Sequence, residues 1–205
     1  MATLDSSFSS LLEGYDLAQL DRHDGAIYAL CRDWRLRYFN DGWRQFANDN
    51  GGEPVLSQAW PLGAAIFEAF SPLPLREFFE FHYRECLREA RVWSHDYECS
   101  SASSFRRFRQ FVYPVYGNGV LVVNSKLVER EHDAPPVRSA MSVDYRDRAG
   151  LIHQCAHCRR IRSAHNHDSW DWVPAWVTHM PARCSHGLCP TCLVFYYLKP
   201  GAAST

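Results

Sequence analysis

The sequence predicts an α+β fold with a small metal-bound module near its C-terminal end, and three observations lead to this prediction. Two short strand-like segments come before several helical segments, and three alternating segments come after them. Two C-x-x-C pairs stand about thirty residues apart late in the chain. Five of the eight cysteines and six of the ten histidines also lie after residue 150. We therefore expect five strands and several helices, followed by the module.

Hydrophobic spacing determines the predicted order of the elements. Apolar residues recur every three or four positions in the helical segments and every second position in the strands. The residues Asp33 and Trp34 form a tight turn between the first two strands, and Asp41 is expected to cap the next helix. The predicted elements are a helix at residues 4–20, strands at 26–32 and 35–40, helices at 42–50, 62–70 and 74–90, and strands at 92–99, 105–113 and 120–128.

Composition and charge exclude several classes of protein. Hydrophobic residues make up 46% and charged residues 22% of the 205 positions, so the chain can form a packed core. The net charge of -1 provides no broad basic field for nucleic acid or for an anionic membrane. No apolar run is long enough to span a bilayer, and the first residues lack the basic charge of a signal peptide. We expect a cytoplasmic protein without a membrane partner.

The segments ALCRDWRLRYFNDGWRQFANDNGGEPVL, FRRFRQFVYPV and GVLVVNS, together with the order of the strands, resemble bacterial PAS-type sensor proteins over residues 22–130. This resemblance implies a five-stranded antiparallel sheet with helices on one face. It also implies a sensory role, often with a small-molecule ligand between the sheet and the helices. Helices that flank PAS domains commonly pair, so the helix within residues 1–21 is expected to contribute to a homodimer.

The two C-x-x-C pairs predict a metal site with four thiolate ligands. Zinc is the favoured metal, while four cysteines would serve an iron–sulfur cluster equally well. A cytosolic chain argues against disulfides, and a redox dithiol would need only one of the pairs. Cys184 and His186 stand just before the second pair and are expected either to replace a ligand or to support a thiolate. The predicted ligands are Cys155, Cys158, Cys189 and Cys192.

The segments CAHCRRIR, WDWVPAW and SHGLCPTC resemble a motif that is often attached to bacterial sensor domains, of the form C-x-x-C-x-x-I-R, W and S-H-G-I-C-P-x-C. A C-x-x-C knuckle, a central hairpin and a C-x-x-C at a helix start also resemble the treble-clef class of zinc modules. Pro190 suits the first position of that helix. The resulting division is a helix at 1–21, the PAS-like domain at 22–130, a polar linker at 131–150, the module at 151–198 and a tail at 199–205.

Aromatic residues dominate the predicted interior of the PAS-like domain. They either fill a core or line a ligand pocket, and the sequence leaves both interpretations open. His82 lies on the long helix, where haem-binding PAS sensors place their axial histidine, so a haem is an alternative cofactor. The candidate pocket residues are Trp43, Phe46, Trp60, Phe67, Phe79, His82, Tyr83 and Trp93.

No catalytic motif is evident in the sequence, so we expect a protein that is not an enzyme. The favoured function is a sensory or signalling adaptor. In it, the PAS-like domain senses a ligand or dimerises, and the zinc module contacts a signalling partner protein. A zinc-dependent nucleic-acid-binding regulator is an alternative, although the basic excess after residue 150 is small. A redox or iron sensor is a further alternative.

Overall fold

The structure is a computed structural model that describes residues 3–6, 12–70, 73–115, 118–131, 140 and 142–194. Backbone contacts divide the chain into two compact units. The sheet unit comprises Met1–His95 and Arg109–Lys126. The cysteine unit comprises Asp96–Phe108 and Leu127–Thr205. No described helix combines the length and the hydrophobicity needed to cross a lipid bilayer.

The predicted α+β architecture is confirmed. The first sheet has the spatial order β1-β3-β2-β6-β5-β4, and its last five strands form the predicted PAS-like sheet. Short 3-10 turns occur at Ile66–Ala69 and Ser142–Asp144. The strands and helices are β1 (Thr3–Leu4), α1 (Leu17–Asp21), β2 (Ile27–Cys31), β3 (Leu36–Phe39), α2 (Asp41–Asp49), α3 (Val55–Ala59), α4 (Leu73–Glu89), β4 (Trp93–Glu98), β5 (Ser104–Val115), β6 (Gly119–Glu131), β7 (Ile152–Cys155), β8 (Ile161–Arg162), β9 (Trp170–Asp171), α5 (Pro174–Thr178), β10 (Cys184–Gly187) and α6 (Pro190–Cys192).

The predicted N-terminal helix over residues 4–20 is wrong in its extent. Strand β1 pairs with the edge of β3, and helix α1 begins only after Asp16, whose side chain accepts a hydrogen bond from the Gln19 amide. Gly14 adopts a φ of 99°, a left-handed conformation that an α-helix does not contain. Residues 7–11 of the predicted helix lie outside the described residues.

Both faces of the central strands are buried. Along β2, Ile27 and Ala29 belong to one apolar cluster, while Tyr28 and Leu30 belong to the other. The second cluster also holds side chains of α2 and α4, so helices cover that face of the sheet. The N-terminal residues cover the opposite face, on which Leu12, Leu17 and Leu20 pack.

Asn40 connects three segments of the sheet unit. It is fully buried and caps α2, so the sequence-based assignment of Asp41 as the cap is wrong by one residue. Asp41 is instead the first residue of the helix, because a capping residue needs the extended backbone that Asn40 has. Asn40 Oδ1 accepts from the amides of Ile27 (2.9 Å) and Trp43 (3.0 Å), and Nδ2 lies 2.9–3.1 Å from the carbonyl oxygens of Leu20, His23 and Gly25.

A chain of buried polar side chains crosses the interior of the sheet unit. The hydroxyls of Tyr28 and Tyr83 are 3.0 Å apart, and Tyr83 donates to Gln110 Oε1 at 2.8 Å. Gln110 Nε2 donates to Asn124 Oδ1 at 3.2 Å, and Asn124 Nδ2 donates to the Ala26 carbonyl at 2.9 Å. Because each of these groups has a partner, their burial carries little of the usual penalty for unpaired polar atoms.

The cysteine unit contains a second sheet in the order β10-β7-β8-β9, in which β10 runs parallel to β7. Its apolar cluster is small and consists of Tyr145, Ile152, Ile161 and Val173, with Trp176 and Cys184 packed against it. Tyr145 stands in the predicted linker, yet it is buried and its hydroxyl donates to Asp171 at 3.0 Å. Packing against the second sheet therefore starts before residue 151.

Replacement of Asn40 by alanine is expected to destabilise the sheet unit by about 3 kcal/mol, because it leaves several buried backbone groups without a partner. Urea unfolding, followed by tryptophan fluorescence, measures this change. The matched control is Asn50→Ala, which removes an exposed hydrogen bond to the Phe46 carbonyl and should cost less than about 0.5 kcal/mol. Equal effects of the two substitutions would contradict the role given to Asn40.

The second prediction concerns alkaline pH. Burial raises the pKa of Tyr28 from 10.0 to about 12, against the opposing hydrogen bonds with Tyr83 and Gln110. Between these values the unfolded chain has released the proton and the folded chain has kept it, so stability falls as the pH rises. The contribution is complete below pH 10.0 and is lost above about 12.

The expected loss is about 2–3 kcal/mol across this range. It is measured by urea unfolding just below and at the upper end of the range, in the unmodified protein and in Tyr28→Phe. The variant lacks the titrating group and should lose less stability. The pKa of Tyr38 is also raised by burial, but that residue is present in both proteins and its effect cancels. Identical pH dependence of the two proteins would show that Tyr28 does not carry the effect.

Candidate metal centre

Four cysteines converge in the cysteine unit and are called the cysteine cluster below. Their sulfur atoms all lie within 4.8 Å of one another, and all four side chains are buried. Among the described residues, they form the group of cysteine, histidine and acidic side chains that could hold a metal ion. None of the eight cysteines, each of which is described, forms a disulfide. The cysteine cluster consists of Cys155, Cys158, Cys189 and Cys192.

The parallel pairing of β7 with β10 brings the two C-x-x-C pairs together. Gly187 lies opposite Cys155 in this register, so the second pair begins next to the end of β7. In the first pair, the chain turns back through Arg159, which has a φ of 62° and donates its amide to the Cys155 carbonyl at 3.0 Å. In the second pair, Cys189 caps α6 and Pro190 occupies the first helical turn, as the sequence predicts.

Hydrogen-bond donors point at three of the four sulfur atoms. The amide of Cys189 donates to Cys155 Sγ, and the amide of Cys192 donates to Cys189 Sγ, both at 3.4 Å. The guanidinium group of Arg160 donates to the Cys158 sulfur. Donors of this kind stabilise a sulfur atom that carries negative charge. The hydrogen-bond donors around the cysteine cluster are therefore placed to stabilise sulfur atoms in the thiolate form.

The four thiols cannot all ionise without a cation between them. Hydrogen bonds from the other three thiols, that of Cys158 the strongest, lower the pKa of Cys155. The pKa of Cys192 is raised, first because of its hydrogen bond with Cys155 and then by the other sulfur atoms. One sulfur thus takes the charge while others keep their protons. A divalent cation removes this conflict, because it favours the thiolate form of every ligand.

The distances fit a tetrahedral thiolate site. Zinc binds thiolates at about 2.3 Å, which places the sulfur atoms of a regular tetrahedron about 3.8 Å apart. The sulfur atoms of Cys158 and Cys189 are separated by 3.8 Å. Four buried thiols are also the donor set expected for zinc or for an iron–sulfur cluster. The residues therefore fit a metal centre.

His157 lies between the two cysteines of the first pair. Its position inside the knuckle predicts a solvent-facing side chain, and this prediction is wrong, because the structure buries it with an exposure of 6%. Its Nδ1 accepts a hydrogen bond of 3.4 Å from the amide of Glu98 in β4. Burial lowers the pKa of His157 to about 4, although the Cys155 thiolate opposes this shift. The imidazole is therefore neutral at neutral pH and can act as an acceptor.

Arg160 places a positive charge beside the cysteine cluster. Burial alone would lower the pKa of Arg160, but the negative charge of Cys158 and their hydrogen bond raise it. The carboxylate of Glu98 and the sulfur of Cys189 add to this effect. Arg160 thus offsets part of the negative charge that four thiolates would bring.

Cys184 and His186 lie outside the cysteine cluster, at other positions of β10. The side chain of Cys184 packs against the small apolar cluster that includes Ile152 and Val173. His186 is half-buried, and desolvation followed by the charge of Arg159 lowers its pKa. The four thiols thus come together without a ligand from either residue.

The candidate pocket residues are mostly packed against one another. Phe67 contacts Tyr83 at 5.4 Å between ring centroids, and Phe79 contacts Tyr83 at 6.4 Å. This mutual packing favours the core interpretation for these rings. Phe67, Phe79 and Tyr83 are buried in one apolar cluster. Trp43 and Trp93 pack against that cluster. Phe46 and Trp60 are half-buried outside it.

His82 is half-buried on α4, and its ring stacks on Trp93 at 4.7 Å with an interplanar angle of 9°. Phe78 contacts the same imidazole at 4.5 Å. Desolvation lowers the pKa of His82, against the opposing charge of Glu85. The structure therefore brings His82 into an aromatic cluster with Trp93, where its imidazole is held in the neutral form.

The polar residues of the interior and the contacts of the knuckle are functional features that the sequence patterns above do not predict. A signal for Gln110 existed, because it interrupts the inward-facing series of Phe108 and Val112 in β5. Asn124 likewise follows an apolar run in β6. The contact between His157 and Glu98 has no such signal, because 59 positions separate the two residues in the chain.

Comparison with known proteins finds similarity to solved structures. No protein-family model matches the chain, and no curated protein matches it. Among solved structures, the chain is similar to the PAS domain of BvgS from Bordetella pertussis. The two share 23% sequence identity with a TM-score of 0.42, over 55% of this chain and 84% of that chain.

Replacement of Cys155 by serine is expected to destabilise the metal-loaded cysteine unit by about 3 kcal/mol or more. A structural zinc ion contributes about 10–16 kcal/mol of apparent binding energy, which four ligands share. Limited proteolysis of the purified full chain, with mass spectrometry of the fragments, locates the loss within the unit.

The matched control for this prediction is Cys184→Ser, in the same unit but outside the cysteine cluster. It should cost about 1 kcal/mol and leave the cleavage pattern unchanged. If Cys155→Ser is as resistant to protease as the control, the cysteine cluster does not hold the unit together.

Proposed function

We propose that this protein is a sensory or signalling adaptor that is not an enzyme, and that its cysteine cluster binds one zinc ion. The proposal includes a homodimer, a signalling partner protein and a cytoplasmic location. The observation that carries it is the group of four buried sulfur atoms within 4.8 Å of one another. A PAS-like sheet and a structural metal module within one chain form a combination suited to regulation.

The surroundings of the cysteine cluster support a structural site. Two backbone amides and the guanidinium of Arg160 already donate to its sulfur atoms, which orients the ligands. Four cysteines complete a tetrahedron, whereas a catalytic zinc site keeps one position open for water or substrate. Bound zinc would supply positive charge that holds the four thiolates together. The proposed role is therefore to stabilise a surface for a partner protein.

The interior of the sheet unit supports the sensory part of the proposal. Tyr28 and Tyr83 place two hydroxyl groups among aromatic rings, next to Gln110. Such a combination of apolar walls and a few polar groups is typical of sites for small molecules. We propose these three residues as the polar contacts of a ligand, which would have to displace part of the mutual packing of the surrounding aromatic rings.

The dimer proposal needs a surface other than the apolar side of α1. Leu17 and Leu20 pack against the sheet of their own chain, together with Leu12. These side chains are therefore used within the protomer. Light scattering of the purified protein measures the mass, and a mass of one chain at micromolar concentration would remove the dimer from the proposal.

The test of the metal site is elemental analysis with an absorbance spectrum, on full-length protein purified without chelator or added metal. One zinc ion per chain and no visible absorbance are expected, because zinc has a filled d shell. If the protein contains iron and absorbs visible light, the cysteine cluster holds an iron–sulfur cluster and not zinc. If the spectrum shows a Soret band, the protein binds a haem, for which His82 is the candidate ligand. Protein without bound metal that also fails to take up added zinc would overturn the proposal.

Matched variants locate the metal on the chain. Cys158→Ser should lose the zinc ion, because it removes one of the four ligands. Cys184→Ser should retain a full equivalent, because Cys184 lies outside the cysteine cluster. Loss of zinc from both variants, or from neither, would show that the metal is bound elsewhere.

A further inference from the structure

The knuckle that carries the first two cysteines contacts the end of β4 within the cysteine unit. Cys155, Cys158 and His157 belong to the knuckle, and Glu98 is the last residue of β4. The Glu98 amide donates to His157 Nδ1 at 3.4 Å. His157 stands between two of the proposed metal ligands, so metal coordination on both sides would fix the position of its ring.

A second interaction joins the same two parts. Arg160 donates to the Cys158 sulfur and also interacts electrostatically with the carboxylate of Glu98. Glu98 therefore receives two interactions from the knuckle region. One of them uses its backbone amide, and the other uses its side chain.

Glu98 in turn helps to close the turn between β4 and β5. Its carboxylate accepts a hydrogen bond of 2.7 Å from Ser100 Oγ, and Ser100 Oγ accepts from the Arg106 amide at 3.2 Å. The Cys99 amide donates to the Arg106 carbonyl at 3.1 Å in the same turn. The position of Glu98 therefore influences the backbone of residues 98–106, which is called the β4–β5 turn below.

We propose that the β4–β5 turn responds to metal occupancy of the cysteine cluster through His157 and Glu98. With metal bound, the knuckle holds His157 where its Nδ1 accepts from Glu98. Without metal, the thiols lose their common anchor, the imidazole leaves this position and the Glu98 amide becomes open to solvent. The inference rests on the metal site proposed above and adds a segment that reports its occupancy.

Thermodynamic linkage relates metal affinity to the stability of the contact between His157 and Glu98. A metal ion can change the turn only if it binds more tightly when the contact between His157 and Glu98 is formed. The same coupling must then act in both directions. If bound metal stabilises the contact between His157 and Glu98 by a certain factor, loss of the contact lowers the metal affinity by the same factor. Couplings of this kind correspond to about 5–150-fold changes.

The experiment is site-resolved amide hydrogen exchange on the full chain, with zinc bound and after removal of zinc by a chelator. Exchange of the Glu98 amide is expected to be at least about fivefold faster without zinc. The Ile27 amide, which donates to buried Asn40, serves as the internal reference and should not change. Equal protection of Glu98 with and without zinc would overturn the inference.

Variants of His157 separate this mechanism from general unfolding on metal removal. His157→Phe retains a ring but has no acceptor, so Glu98 should exchange as fast with zinc bound as it does without zinc. His157→Asn has an oxygen that can accept, and it should restore part of the protection. The control is His186→Phe, which replaces a half-buried histidine elsewhere in the unit and should leave Glu98 exchange unchanged.

The outcomes distinguish this inference from the proposed function. If the unmodified chain binds no metal, the proposed metal site fails. If zinc binds in His157→Phe with one equivalent per chain and Glu98 remains protected, the metal site stands and the coupling through His157 is wrong. Zinc affinity in His157→Phe should also fall by the factor measured for Glu98, as linkage demands.

Discussion

The cysteine unit depends on the charge balance of four sulfur atoms that lie within 4.8 Å of one another. Among the described residues, its apolar cluster has four buried members, which is a small core for a unit of this size. The sulfur atoms join β7 to α6, and backbone amides and Arg160 direct hydrogen bonds at them. A cation at their centre would convert a cluster of competing thiols into a crosslink between distant parts of the chain.

The sheet unit is organised differently, by two networks of buried polar side chains whose members are paired. Asn40 links the start of β2, the first turn of α2 and the loop that follows α1. The chain from Tyr28 to Asn124 crosses the apolar interior in the same way. Paired polar groups fix a unique arrangement, because any other packing would leave one of them buried without a partner.

Local chemistry explains which predictions succeeded. Hydrophobic periodicity, which is a property of neighbouring residues, predicts the hairpin of β2 and β3, the long helix α4 and the strands β4, β5 and β6. Proline in the first turn of α6 is likewise a local preference. The N-terminal helix failed because Gly14 and Asp16 set its true start, and periodicity alone does not weigh these residues. Asp41 was preferred to Asn40 as a cap although both residue types suit the position, and backbone conformation decides between them.

The sequence by itself determined the α+β order of elements and the four cysteines of the candidate metal centre, because periodicity and ligand spacing are encoded locally. The tertiary structure alone decided that Tyr145 packs in the cysteine unit, that Gln110 joins the polar chain and that His157 meets Glu98. These contacts join residues far apart in the chain. Strand register and the folding of the knuckle decide which residues meet in these contacts. The sequence around either residue alone carries no pattern that identifies its partner.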